Sequence, residues 1–214
     1  MKPVTLYLLR HGESELNFQR VFAGPGSDPP LTAAGAEQAG LQAAAWKETP
    51  FSAIYSSPSQ RARQTAQIMG EGRKLEIQVS QQLREVNIGK LDGQSIDNPE
   101  ILATYRGVIS KWEQEIQTAS FPGGERLVDV EERFRAFLEA IPESNARAPI
   151  LVTGHGILFM SVLWLFVKER SRRIQDYYMG RCHLTIVAWD GEKLELERFN
   201  LPPEPGLKTE SALK

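Results

Sequence analysis

Two short stretches of this chain end in the same way, with a histidine and a glycine directly after an apolar run. VTLYLLRHG ends in Arg10, His11 and Gly12, and ILVTGHG ends in His155 and Gly156. The chain contains three histidines, and two of them have this context. A neutral imidazole is a competent nucleophile near neutral pH, and a guanidinium presents a planar fork of donors that matches phosphate oxygens. These residues are therefore suited to chemistry on a phosphoryl group.

Two further positions belong to the same hypothesis. Arg61 lies in the first turns of a predicted helix, and Arg63 in the same helix start is the alternative cation. Glu85 lies in an irregular stretch and provides a carboxyl group for proton transfer. Helix starts that follow strand ends also offer unpaired N–H groups, which favour anions. Together these groups predict a pocket for a phosphoryl group.

The two histidines follow elements that we interpret as buried strands. The apolar runs from Val4 to Leu9 and from Ile150 to Thr153 are too short for confident helices and have the character of core strands. In open α/β sheets, ligands bind at the carboxyl ends of the strands. We therefore expect His11 and His155 to leave the sheet at the edge where ligands bind.

Strands alternate with helices along the rest of the chain. Further strands are predicted at residues 51–56, 76–79, 184–189 and 193–199, the last two as a hairpin. Helices are predicted at residues 31–47, 58–69, 99–117, 127–141 and 157–168. Thr32 is expected to cap the first helix, and Ser57 ahead of Pro58 is expected to cap the second. This order predicts the α/β class: a three-layer α/β/α sandwich with a mostly parallel central sheet and an antiparallel edge hairpin.

The length and composition indicate one globular domain. In this chain of 214 residues we expect a single catalytic domain over residues 1–200 and a loose C-terminal tail over residues 201–214. The formal net charge of −2 gives no indication of a nucleic acid or an anionic membrane as partner. The longest apolar run, Ile157 to Val167, is too short to span a bilayer. A single cysteine, Cys182, excludes an internal disulfide, and no secretory leader is recognisable, so we expect a cytoplasmic location.

Five sequence blocks, in order, resemble the histidine phosphatase family, the phosphoglycerate-mutase-like superfamily. They are RHGESELN at 10–17, SSPSQRARQTA at 56–66, LREVNIGKLDG at 83–93, PGGE at 122–125 and GHG at 154–156. The resemblance covers roughly Thr5 to Phe199. One block alone would be a weak signal, but five in the family's order make a specific one.

The resemblance implies a role for each candidate residue. His11 falls on the family's nucleophile, which becomes phosphorylated, and Glu85 falls on its proton donor. The residues that would hold the phosphate are Arg10, Asn17, Arg61, His155 and Gly156. No cofactor and no metal are implied, because the arginines supply the positive charge. The implied partner is a small phosphorylated metabolite.

The spacing between two blocks separates activities within the family. Cofactor-dependent mutases carry a longer insertion after the acid, with an adjacent pair of arginines that grips a second phosphate. Here about 70 residues separate Glu85 from His155, and no Arg-Arg pair lies between Val86 and Phe121. This chain therefore resembles the compact, broad-specificity phosphatases, although RHGESELN is also similar to the bisphosphatase half of the bifunctional fructose enzyme. One departure is Arg126, where the family often has Ser after PGGE.

Three alternatives remain open at this point. The nearest is a cofactor-dependent phosphoglycerate mutase. A second is a metallohydrolase that uses His11, His155 and a carboxylate, although the neighbouring arginines would repel a cation. A third is a non-catalytic module that binds a phosphorylated ligand.

The mechanism implied by the resemblance makes opposite demands on two ionisable groups. Burial should raise the pKa of Glu85, so that it is protonated at working pH. Nearby arginines should disfavour the imidazolium form of His11, and a backbone carbonyl on its second ring nitrogen would define the tautomer. His183 and Cys182 are interpreted as structural. The segment from Glu13 to Pro30 is rich in Gly, Pro, Asp and Asn and is predicted to be a loop near His11. The wall beyond the phosphate is expected to come from this Gly- and Pro-rich loop, over residues 18–30, and from residues 87–111, and to include Phe22, Tyr105 and Trp112.

Overall fold

A computed structural model describes residues 3–142, 144–145 and 148–203 of the chain. Within these residues, six strands form one sheet in the order β3-β2-β4-β1-β5-β6. The strands are β1 (Val4–Arg10), β2 (Ala53–Ser56), β3 (Ile77–Val79), β4 (Ile150–Gly154), β5 (Leu184–Trp189) and β6 (Leu194–Leu201). Strands β3, β2, β4 and β1 are parallel, whereas β5 runs antiparallel to β1 and pairs with β6 in an edge hairpin. The predicted α/β class and its edge hairpin are confirmed.

Helices cover both faces of the sheet. Among the described residues they are α1 (Glu15–Phe18), α2 (Ala33–Ala45), α3 (Gln60–Gly70), α4 (Pro99–Glu113), α5 (Leu127–Glu139) and α6 (Gly156–Phe166). Short 3₁₀ turns lie at Gln81–Leu83, Gly89–Leu91 and Ile174–Tyr177. The short helix α1 lies in the segment that we predicted to be a loop, and α4 ends at Glu113 rather than at residue 117.

Alternation along β1 divides the core into two clusters. Leu6 and Leu8 face one side of the sheet, and Leu8 packs in the cluster that contains the apolar faces of α4, α5 and α6. Tyr7 and Leu9 face the other side and pack with residues of α2 and α3. Because successive side chains of a strand point to opposite faces, one seven-residue strand anchors both helical layers. Strand β1 is therefore held rigidly up to its last residue, Arg10.

The N-terminal cap of α3 differs from the prediction. Thr32 caps α2 as expected, with its side chain accepting a hydrogen bond from the Gly35 amide at 3.0 Å. In α3, however, the N-cap residue is Ser59, so the assignment to Ser57 was wrong. The Ser57 amide instead donates to the Thr153 carbonyl at 3.0 Å, which continues the β2–β4 ladder by one residue. Ser57 is therefore an extension of the strand and not the start of the helix.

The end of the chain extends the hairpin slightly beyond its predicted limit. Leu201 is the last residue of β6 and pairs with Leu184, although we had placed it at the start of the tail. Residues 204–214, most of the predicted tail, lie outside the described residues. In the part of the chain that is described, no helix combines the length and apolar character needed to cross a bilayer.

Candidate active site

The two histidines of the matched motifs are brought together by the pairing of β1 with β4. The strands are parallel neighbours, and their register places Arg10 opposite Gly154. The His11 amide donates to the Gly154 carbonyl at 3.0 Å, and the rings of His11 and His155 lie 5.2 Å apart between centroids. Both histidines therefore leave the sheet at the same edge, as the sequence predicted.

His11 has a defined tautomer. Its Nδ1 lies 2.7 Å from the Gly12 carbonyl oxygen, and its Nε2 lies 3.2 Å from the Nε of Arg61. A guanidinium nitrogen only donates, so Nε2 of His11 must accept and therefore carries no proton. The hydrogen is then on Nδ1, which donates it to Gly12. The ring is thus a neutral imidazole with its lone pair on Nε2.

Burial and charge both keep His11 neutral. Only 3% of the residue is exposed. Desolvation lowers the pKa of His11 well below 6.5, and the positive charges of Arg61 and Arg10 lower it further. We expected the arginines to disfavour the imidazolium form, and their effect on the pKa of His11 has this sign. Burial lowers the pKa more than the arginines do.

Arg61 is fully buried, whereas Arg63 is exposed. Besides its contact with His11, Arg61 donates from Nη1 to the Ser27 carbonyl and from Nη2 to the Ala23 carbonyl, each at 3.1 Å. The guanidinium therefore holds the loop after α1 against the nucleophile candidate. Each terminal nitrogen carries a second hydrogen, which leaves donors for an additional acceptor.

The same loop is held from its other side by Asp92. One carboxylate oxygen accepts hydrogen bonds from the Gly24 amide and the Ser27 hydroxyl, and the other accepts from the Gly26 amide, at 2.6 to 2.9 Å. The Gly- and Pro-rich loop is thus fixed between a buried cation and a carboxylate. This contact explains how a segment without regular structure can form a wall of the site.

His155 occupies the N-cap position of α6 and is fully buried. Its Nε2 lies 2.7 Å from the Ser57 hydroxyl, and its Nδ1 has no hydrogen-bond partner among the described residues. Burial lowers the pKa of His155 well below 6.5, and the charge of Arg61 adds to this shift. The ring is therefore neutral, and its buried Nδ1 keeps an unused hydrogen-bonding capacity beside His11.

Arg10 lies beside His155 with its side chain also buried. Its Nη1 donates to the Met179 carbonyl at 2.5 Å, and its guanidinium lies 5.0 Å from the ring centre of Tyr178. The Nε of Arg10 is buried and has no partner among the described residues. Gly156 permits this packing, because a Cβ there would lie 3.0 Å from the guanidinium carbon. A side chain at position 156 would therefore require the Arg10 guanidinium to shift by a few tenths of an ångström.

Glu85 is held at the N-terminus of α6. One carboxylate oxygen accepts from the Val86 and Leu158 amides, each at 2.8 Å, and the other accepts from the Ile157 amide at 3.2 Å. These bonds and the charge of Arg61 favour the carboxylate, but desolvation is the larger effect and raises the pKa of Glu85. The direction agrees with the requirement for a proton donor.

The PGGE block positions the segment around Glu85. Glu125 is buried and accepts a hydrogen bond from the Asn87 amide at 2.7 Å and from Arg84 at 2.5 Å. Arg133 of α5 donates to the same carboxylate at 3.0 Å. The residue after this block, Arg126, does not line the cleft, because it is paired with Asp129 on the surface.

The site opens into a cleft of about 250 Å³. Its lining includes Arg10, Asn17, His11, Glu85 and Gly156 from the predicted set. Phe22 and Tyr105 form part of the wall, as expected, with their ring centres 5.2 Å apart. The prediction for Trp112 was wrong. That side chain is fully buried against Phe121, and its indole N–H donates to the Ala119 carbonyl at 2.8 Å.

Several residues of the site were missed by sequence reasoning. Ser57 was interpreted as a helix cap, and Tyr178 and Arg181 were not singled out. Tyr178 and Arg181 line the cleft, and Ser57 contacts His155. The SSP sequence at the exit of β2 was a usable signal for Ser57, because β2 is the neighbour of β4. Tyr178 and Arg181 had no such signal, because they follow an irregular segment far from every motif.

The fold and the site together define a class of protein. A mostly parallel α/β sheet brings together two neutral imidazoles, two buried guanidiniums and a carboxyl group with a raised pKa. His11, Arg10 and Glu85 line the cleft, whereas Arg61 and His155 are fully buried next to His11 and do not line it. This is an arrangement for histidine-dependent phosphoryl transfer. Residues 6–202 match the Histidine phosphatase superfamily (branch 1). The chain belongs to this family and is a phosphatase.

Individual relatives agree with this assignment. A protein of Hydrogenobacter thermophilus named as a phosphoserine phosphatase is 29% identical over 91% of this chain and 94% of its own length. A protein of Escherichia fergusonii named as a phosphoglycerate mutase is 32% identical over 86% of each chain. Among solved structures, a mycobacterial glucosyl-3-phosphoglycerate phosphatase in complex with VO3 is similar with a TM-score of 0.78. That structure is 27% identical, and the match covers 92% of this chain and 99% of the other.

Proposed function

We propose that the chain is a metal-independent phosphomonoesterase that acts on small phosphorylated metabolites through a phosphohistidine on His11. The observation that carries this proposal is the state of that ring. It is buried and neutral, its Nδ1 hydrogen is donated to the Gly12 carbonyl, and its lone pair is on Nε2 beside Arg61. This is the protonation state that a nucleophilic imidazole requires.

In the first step, the hydrogen bond from Arg61 Nε to His11 Nε2 gives way to the phosphoryl group. Nε2 then attacks phosphorus, forming a P–N bond while the P–O bond to the leaving group breaks. Glu85, protonated beforehand, gives its proton to the leaving oxygen, so that an alcohol departs and the carboxylate remains. Its raised pKa supports this role. The three backbone amides around Glu85 stabilise the carboxylate that forms.

In the second step, water attacks phosphorus and the P–N bond breaks, which returns His11 to its neutral form. Glu85 accepts the proton of the water and is ready for the next cycle. The result is an alcohol and inorganic phosphate, and no redox partner is needed.

Charge on the phosphoryl oxygens is balanced by the groups around His11. The buried nitrogens without partners, Arg10 Nε and His155 Nδ1, support a role in binding these oxygens. Arg61 adds its charge and the second hydrogens of its terminal nitrogens. Asn17 and Gly156 line the same cleft and complete the proposed phosphate site. Donors fixed in a buried site are worth more than the same donors in water.

A phosphoglycerate mutase is the second candidate, favoured by the relative that carries this name. The two activities differ in the acceptor of the phosphoryl group, which is water in one and a bound monophosphate in the other. No adjacent arginine pair occurs among the described residues that line the cleft, and this supports transfer to water.

One experiment separates the candidates. Hydrolysis of a panel of phosphomonoesters is measured with and without a bisphosphate primer, and the protein is quenched during turnover to locate the phosphate by mass spectrometry. We expect hydrolysis without primer and phosphate on His11. Primer-dependent isomerisation of phosphoglycerate without net hydrolysis would favour the mutase, and binding without turnover would favour the non-catalytic module.

A cytoplasmic location is part of the same proposal. It is supported by the single cysteine, Cys182, which is buried and free. Fractionation of cells that express the full chain tests it, and recovery outside the cytoplasm would contradict it.

A further inference from the structure

Apart from the residues proposed to bind the phosphoryl group, the cleft is lined mainly by apolar and aromatic side chains. They include Phe22, Ile88, Leu102, Tyr105, Ile157 and Tyr178. They come from the loop after α1, from residues 88–105, from α6 and from the segment before β5. Because His11, Arg10 and Glu85 line the same cleft, a leaving group released there contacts this apolar lining.

Two arginines outside the catalytic set line this cleft, and the first is Arg20. Its side chain is bound by Asp97: Nε lies 3.0 and 2.9 Å from the two carboxylate oxygens, and Nη2 lies 2.6 Å from one of them. The backbones are joined as well, because the Ile96 amide donates to the Arg20 carbonyl at 2.9 Å. The charge of Arg20 is therefore balanced within the chain by Asp97, in a pair whose side chains are 61% and 58% exposed.

The second arginine, Arg181, is balanced in the same way. Its Nη1 forms an ion pair with Glu13, and its Nη2 donates to the Asn17 carbonyl at 3.0 Å. Among the described lining residues, every cation outside the catalytic set thus has a carboxylate of the chain as its partner. A substrate carboxylate or second phosphate would have to compete with Asp97 or Glu13 for it.

We propose that this cleft selects phosphomonoesters whose leaving group is uncharged and apolar, and that Asp97 determines this specificity by neutralising Arg20. The inference rests on the proposed function and names its substrate class. An apolar leaving group gains contact with the aromatic wall, centred on the rings of Phe22 and Tyr105. An anionic leaving group loses water there and gains no unbalanced cation in return.

The test uses two substrates of the same shape. Isopentyl phosphate and β-phosphooxypropionate differ in that two methyl groups replace the two carboxylate oxygens. For the wild-type protein we expect kcat/KM to favour isopentyl phosphate by roughly tenfold or more, the factor that corresponds to about 1.4 kcal/mol. Equal values, or a preference for the carboxylate, would overturn the proposal.

The variant Asp97→Asn tests the role of the ion pair. It removes the negative charge beside Arg20 and keeps the shape, so that the arginine becomes available to a carboxylate. We expect the preference for isopentyl phosphate to fall by about threefold to fivefold, the usual effect of one exposed charge pair. The fall should shrink in high salt, which screens exposed charges.

The chain offers a matched control in a second surface pair, Arg126 with Asp129. The variant Asp129→Asn makes the same change in net charge at a position that does not line the cleft. It should keep the wild-type preference. A preference in Asp97→Asn equal to that of Asp129→Asn would overturn the role of Asp97. Trapping of phosphate on His11 with either of the two substrates tests the proposed function separately, since it does not depend on which substrate is preferred.

Discussion

The Nε of Arg61 donates a hydrogen bond to the Nε2 of His11 across 3.2 Å, and both residues are buried. This contact joins the first turn of α3 to the residue that follows β1. It holds the proton of His11 on Nδ1, and the positive charge of Arg61 opposes formation of an imidazolium. One contact thus determines both the tautomer and the charge of the proposed nucleophile.

Loss of the imidazole at position 11 should stop the reaction. We expect His11→Asn to lower kcat by at least about 10⁴-fold and to abolish the phosphoenzyme, since the P–N bond has no other site. Quenched-flow trapping with labelled substrate measures both. His183→Asn is the matched control, because His183 lies outside the cleft lining and should leave the phosphoenzyme intact. A phosphoenzyme in the His11 variant would refute the assignment.

The two arginines in the first turns of α3 provide a direct comparison. Arg61→Lys should lower kcat/KM by on the order of 10²–10³, because a lysine cannot keep the contact with His11 together with those to Ser27 and Ala23. Arg63→Lys changes an exposed side chain in the same helix and should have little effect. Steady-state kinetics on p-nitrophenyl phosphate decides this. Equal losses in the two variants would argue against a specific role for Arg61.

The acid role of Glu85 predicts a dependence on the leaving group. Glu85→Gln should slow alkyl phosphates by on the order of 10²–10⁴ and p-nitrophenyl phosphate much less, since nitrophenolate departs without a proton. The measurement is kcat/KM for a series of phosphomonoesters with different leaving groups. A plot of log kcat/KM against the pKa of the leaving group should be steeper for the variant than for the wild type. A uniform loss across the series would show that Glu85 acts in some other way.

The direction of the Glu85 shift also predicts the pH profile. Because the pKa is raised above 4.5, the acid form persists at higher pH than in an ordinary glutamate and is lost as the pH rises through the shifted value. We expect an alkaline decline in kcat/KM for alkyl phosphates that is absent from Glu85→Gln. An unchanged decline in that variant would assign it to a different group.

Burial of neutral His155 should make the fold sensitive to acid. Its folded pKa lies well below 6.5, so below that pH the unfolded chain binds a proton that the folded protein does not. The stability is complete above 6.5 and falls as the pH is lowered towards the folded value, by up to about 1.4 kcal/mol per pH unit. The free energy of unfolding is measured with urea at several pH values and plotted against pH. Between the folded value and pH 6.5, this plot should be less steep for His155→Gln than for the wild type. Identical slopes would contradict a neutral buried ring.

The sequence alone determined which segments form strands, that the strands before His11 and His155 are buried, and which chemical groups follow them. Short apolar runs that stop at RHG and GHG specify strands with an imidazole at the exit, and this is local information. The five ordered blocks added roles for Glu85 and Arg61, because a family resemblance relates residues far apart in the chain, whereas periodicity describes only local structure. The α/β class and its edge hairpin followed from the alternation of helical and strand patterns, which is likewise local.

The tertiary structure decided which ends meet. The pairing of β1 with β4 joins residues about 140 positions apart, and no periodicity encodes such a neighbour. The pairing of β2 with β4 placed Ser57 beside His155 and removed it from the helix cap, because β2 continues in an extended conformation for one more residue. The pKa directions were also decided there, because desolvation depends on what surrounds a group in space and not on its neighbours in the chain.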